Sequence, residues 1–109
     1  MKILLDQGTP VPLLRRSLPD HDVITAFERG WQALKNGELL SAAEAEGFAA
    51  FITTDQNLRH QQSLEARRLA VVVLMTTDWR LIRQHLDHVA QAVAALKPGA
   101  YVELFFPPL

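Results

Sequence analysis

The sequence predicts an α/β protein, a three-layer α/β/α sandwich built on a mostly parallel sheet of about five strands. Two observations carry this. Short apolar runs alternate with helix-patterned stretches from one end of the chain to the other, the succession that gives a parallel sheet with helices on both faces. The run Val71-Val72-Val73-Leu74-Met75 is apolar at every position, as a strand buried on both faces must be.

Each element has a local cause. Residues 2 to 5 make the first strand. Pro10 to Leu18 suits a first helix, because proline is tolerated in the first turn and Val11, Leu14 and Leu18 share one face. A Pro19-Asp20 turn ends it. Asp22 to Ala26 is the second strand, and after a Gly30-Trp31 loop, Asn36 to Glu46 carries alanine, leucine and glutamate at helical density, with Gly47 where a helix stops. Phe48 to Thr53 forms the third strand, Asn57 to Glu65 a short helix, and Val71 to Met75 the fourth strand. Asp78 is expected to cap one long helix from Trp79 to Leu96, closed by Lys97-Pro98-Gly99, and Tyr101 to Phe106 is the last strand.

Composition bounds the function. At 109 residues the chain is one domain, able to bury roughly two thirds of its unfolded surface. The absence of cysteine removes disulfides, thiolate zinc sites and thiol nucleophiles. No apolar run approaches the ~20 residues of a membrane span, and Met1-Lys2 leads straight into a strand rather than a signal segment, so a soluble cytoplasmic protein without membrane contact is expected. A net charge of -1 argues against non-specific coating of nucleic acid, while leaving room for a local basic patch.

The chemistry gathers at strand ends. Ile3-Leu4-Leu5-Asp6-Gln7 and Phe51-Ile52-Thr53-Thr54-Asp55-Gln56 each read as a buried strand that stops at a carboxylate. In an open parallel sheet, ligands bind beyond the carboxyl ends of the strands. One aspartate there can be a helix cap or Asx-turn, but two on strands ~4.8 Å apart repel unless a cation or proton lies between them. Magnesium suits such a pair, needing one or two carboxylates, waters and phosphate oxygens. Asp78 repeats the Thr-Thr-Asp setting, but two strands (~10 Å) from Asp6 it is read as a cap. Glu28 is open between a surface ion pair with Arg29 or Arg16 and the crevice. Asn36 and Glu38 are accounted for as N-cap and first-turn acid, without excluding a site role.

Weaker constellations stand beside these. His85 and His88, with Asp87 between them, lie three apart on the long helix, and with no glutamate base or third ligand a solvated face is preferred. No serine has a nucleophile's setting, and Gly8 alone makes no phosphate loop. Arg59, His60, Arg67 and Arg68 are either backbone contacts to nucleic acid or a solvated surface.

Leu5-Asp6-Gln7, His21-Asp22-Val23, Asn36-Gly37-Glu38-Leu39-Leu40 and Thr53-Thr54-Asp55-Gln56-Asn57-Leu58, in that order and spacing, resemble the short PIN-like domains, similar to toxin nucleases of bacterial toxin-antitoxin pairs. The resemblance implies an α/β/α fold, an acidic cluster holding Mg²⁺ or Mn²⁺, RNA cleavage by metal-activated water leaving a 5′-phosphate, and a small antitoxin partner. It implies metal ligation by Asp6 and Asp55, with Glu28 or Glu38 orienting water, Asn36 and Asn57 positioning it, and Arg59, with His60 and Arg67, meeting the RNA backbone. Three positions depart from the pattern: Asn36 stands where many PIN domains have aspartate, Asn57 where a further acid is common, and Leu58 where many have phenylalanine.

The alternative is a weakened PIN-like binding module that acts through a partner protein. Its support is the apolar tail Leu104-Phe105-Phe106-Pro107-Pro108-Leu109, which either forms a homodimer or antitoxin contact or turns Leu104 and Phe106 into the core.

Overall fold

A computed structural model of the chain describes residues 1–61 and 63–108. Five strands, β1 (Lys2–Leu5), β2 (Asp22–Thr25), β3 (Ala50–Thr53), β4 (Ala70–Leu74) and β5 (Tyr101–Leu104), form one sheet in the order β2-β1-β3-β4-β5. Every pairing is parallel. The helices are α1 (Val11–Ser17), α2 (Asn36–Ala45), α3 (Leu58–Gln61), α4 (Trp79–Gln84) and α5 (Leu86–Ala94).

Successive strand residues face opposite ways, so the sheet feeds two cores. On one face Ile3, Leu5, Ile52, Val72 and Leu74 pack with Leu14 of α1, Ile82 of α4, and Val89 and Val93 of α5. On the other, Leu4, Phe51, Val71 and Val73 pack with Leu39, Leu40 and Ala43 of α2 and Leu58 of α3. Each such buried side chain contributes ~1.5–3 kcal/mol by leaving water. β3 and β4 are buried at every position, the physical cause of the uninterrupted apolar sequence of β4 and of β3 up to Thr53. Gly47 ends α2 with φ +81°, a left-handed conformation that a β-carbon would strain.

Two expectations change. The long helix is two helices, broken at His85 (φ −132°, ψ 36°). Neither proline nor glycine announces the break. It lets α5 lie along α1 and β5 with Val89 and Val93 buried, while α4 sends in only Ile82. The short helix after β3 is a single turn, α3, rather than a segment reaching Glu65.

The tail divides against itself. Leu104 and Phe106 pack on the core and Phe105 is exposed, so of the described tail aromatics only Phe105 remains for a homodimer or antitoxin contact; Leu109 lies outside the described residues. No helix among the described residues is long and apolar enough to cross a membrane.

Candidate functional site

The chain leaves β1 and β3 in opposite directions. From β1 it passes to α1 on one face, and from β3 to α3 on the other, although the two strands are neighbours. Loops that part in this way open a crevice at the carboxyl ends of the strands, the topological switch point of an open α/β sheet. Asp6 is the first residue after β1 and Asp55 the second after β3. The loops are close here, since a β-carbon on Gly8 would lie 3.1 Å from Thr54 Oγ1.

Thr53 joins the two acids. Its fully buried hydroxyl donates to Asp6 Oδ2 at 2.7 Å and accepts the Asp55 N–H at 3.0 Å. The Asp6 N–H donates to the Ile52 carbonyl at 3.0 Å, which keeps this residue against β3. Asp6 Oδ1 accepts the Gln7 N–H at 2.9 Å, and Asp55 Oδ1 accepts the Asn57 N–H at 3.0 Å. Asn36 Nδ2 donates to Asp55 Oδ2 and to Gln61 Oε1, both at 3.2 Å. All four carboxylate oxygens are therefore oriented by neutral donors, and each keeps a free lone pair.

The electrostatics separate this pair from the arginine-paired acids. Glu28, Glu44, Glu46, Asp78 and Glu103 each pair with an arginine, whereas among the described residues Asp6 and Asp55 have no cationic partner. Oriented, half-buried carboxylate oxygens with their charge uncancelled are a hard donor set of the kind that holds Mg²⁺ or Mn²⁺.

The other expected site residues fall into three groups. Asn36 joins the site, but as the first residue of α2, whose N-cap is Lys35; its amide is turned to Asp55 instead of capping. Asn57 contributes its backbone N–H. Arg59 follows Asp55 in sequence, but its guanidinium is bonded to Glu103 of β5 at 3.2 Å, on the far side of β4 from β3, with exposed His60 beside it.

Glu28 and Glu38 are drawn elsewhere. Glu28 Oε1 accepts the Thr25 N–H at 2.9 Å and Arg15 Nη2 at 2.6 Å, so its ion-pair partner is Arg15 rather than Arg16 or Arg29. The Thr25 N–H first, and then Arg15, holds this carboxyl below its ordinary range. Glu38 Oε1 accepts the Lys35 N–H at 3.2 Å, reaching back to the helix start.

Arg67 is at the wrong end of the sheet. It precedes β4, so the ~3.3 Å rise of each strand residue separates it from the crevice, and its guanidinium clasps Glu44 and Ser41 of α2. Burial pushes Glu44 up, and the bonds from Arg67 and the Arg68 N–H outweigh it. Arg67 is a clamp between α2 and the entry to β4.

Thr53 and Gln61 were missed by sequence reading. Thr53 looked like any strand-ending threonine, and the usable signal was a polar side chain on a strand whose other positions are all apolar. The helix break also brings His85, Asp87 and His88 together, with one ligand atom from each within 4.8 Å of the others. No protein-family model, curated protein or solved structure matches the chain.

Proposed function

We propose that this chain is a magnesium- or manganese-dependent endoribonuclease of the PIN-like kind, the toxin of a toxin-antitoxin pair. The observation that carries the reading is the pair of half-buried carboxylates at the switch point, oriented by neutral donors and without a cationic side chain as partner among the described residues. The toxin assignment rests on the resemblance of the Asp6, Asn36 and Asp55 segments to PIN-like toxins.

Asp6 and Asp55 would hold the ion, which when bound supplies an activated water and neutralises charge on a phosphodiester. Thr53 fixes Asp6 through its hydroxyl and Asp55 through the backbone, so the two acids keep one spacing. Asn36 orients Asp55 and, as an amide, adds no third charge. Arg59, half exposed on Glu103, is free to exchange that partner for a phosphate, with His60 next to it.

The same amide favours a second reading, a PIN-like binding module that holds RNA or a partner protein without hydrolysis. Incubation with 5′-labelled single-stranded RNA and Mn²⁺ separates the two. The nuclease reading predicts cleavage that is lost in Asp6→Asn and Asp55→Asn; cleavage that survives both changes would refute it, and RNA retained uncut supports the binding module.

A further inference from the structure

The other helical layer carries a second constellation, independent of the acids. His85 breaks the helix between α4 and α5, and its non-helical backbone brings its ring beside that of His88, centroid to centroid 4.8 Å and 24° from parallel. Asp87 Oδ2 is 4.0 Å from His88 Nε2. Phe106, folded back from β5, lies 6.3 Å from the His85 ring and backs it from the core side. Both imidazoles are half-buried and Asp87 is exposed.

Two imidazoles and one carboxylate are the donor set of a three-ligand zinc site, whose fourth position is left for water or another ligand. Imidazole nitrogen selects zinc, copper or nickel over magnesium, which prefers oxygen throughout. Tetrahedral zinc with bonds of ~2.0–2.1 Å brings ligand atoms to about 3.3 Å from one another. The donors here all lie within 4.8 Å, so closure requires them to approach by about 1.5 Å, within the reach of side-chain torsions. His85 is the fixed member, held by its turn and by Phe106.

We propose that His85, Asp87 and His88 bind one divalent transition-metal ion of the zinc class, leaving a coordination position open on the surface of the α1, α4, α5 layer. The bound ion would fix the junction of α4 and α5, since its ligands are the residue at the break and two in the first turn of α5. Such an ion stabilises the fold in proportion to its occupancy.

Titration of the untagged chain with cobalt(II), followed by visible absorption, tests the site directly, with zinc-dependent melting as a second readout. The expected result is a saturable band at one ion per chain, unchanged in ten-fold excess magnesium, and a Tm rise on the order of 10 °C at a hundredfold excess of zinc over Kd. His85→Gln and His88→Gln should each abolish both the band and the zinc-dependent rise in Tm. Asp6→Asn with Asp55→Asn should leave it intact, which separates this site from the acidic crevice whether or not the chain is a nuclease. No band at millimolar cobalt, a band that survives both histidine changes, or one lost in the double aspartate variant would overturn the proposal.

Discussion

Thr53-Thr54-Asp55 closes β3 and Thr76-Thr77-Asp78 follows its neighbour β4, and the backbone treats them alike. In each, the aspartate N–H donates to the threonine two residues earlier at 3.0 Å. Each aspartate Oδ1 then accepts an N–H two residues later, from Asn57 at 3.0 Å and from Arg80 at 2.9 Å. The difference lies in the charge. Arg80 also bonds Asp78 through its guanidinium and holds that carboxyl below its ordinary range. Asp55 receives a neutral amide from Asn36, and Thr53, unlike Thr76, is fully buried and donates its hydroxyl to a second aspartate. One local motif thus makes a finished helix cap beside β4 and, beside β3, one of two linked acids with no cationic partner among the described residues. The residue two positions after the aspartate, Arg80 against Asn57, decides only part of this; the partners that the topology brings across to Asp55 decide the rest.

The largest expected contrast is in activity. Asp6→Asn and Asp55→Asn should each reduce metal-dependent RNA cleavage ~10²–10³-fold, the scale of removing one group that acts on the transition state. Asp78→Asn should change it less than about threefold. Equal losses at Asp55 and Asp78, measured as initial rates on the same RNA, would erase the distinction.

Next comes the linking hydroxyl. Thr53→Val keeps the shape but leaves the Asp55 N–H without its acceptor in a buried place, which should cost ~1–3 kcal/mol by urea unfolding. Thr76→Val, at a partly exposed position, should cost clearly less. A smaller loss at Thr53 than at Thr76 contradicts the assignment of Thr53 as the linking residue.

Arginine-held acids should also be distinguishable by pH. Glu44 has a depressed folded-state pKa, so its contribution is present above the unfolded value of ~4.3 and is lost as pH falls through the folded value. Glu44→Gln should therefore lower stability by about 1 kcal/mol at neutral pH and converge with the parent chain below about pH 3. A difference that persists unchanged in acid would mean that the glutamate acts through packing alone. The smallest effects distinguish the two aspartates in the absence of metal. Asp78→Asn removes an ion pair and should lower Tm, whereas Asp6→Asn relieves uncompensated charge and should leave Tm unchanged or raise it at low salt.

Much of the fold was legible because it rests on local patterns. The apolar runs at 3–5 and 70–74 gave strands, and Gly47 gave a helix end, since burial on two faces and a left-handed φ each leave a mark on residue type. The break at His85 left none, because it is imposed by how α5 lies on α1 and β5 rather than by the residues within it. At the site, Asp6 and Asp55 were legible as strand-ending acids. Glu28, Glu38 and Arg67 were not separable from functional residues, because their partners Arg15, Lys35 and Glu44 are set by turns, caps and helix packing. Thr53 could be found only from the register that puts it beside Asp6.

Calorimetric titration with manganese tests the central claim, that Asp6 and Asp55 are a pair completed by a cation, most directly. The account predicts saturable binding that is lost in Asp6→Asn and in Asp55→Asn and kept in Asp78→Asn and His88→Gln. An absence of binding at millimolar manganese, or binding that survives both changes in the crevice, would contradict it.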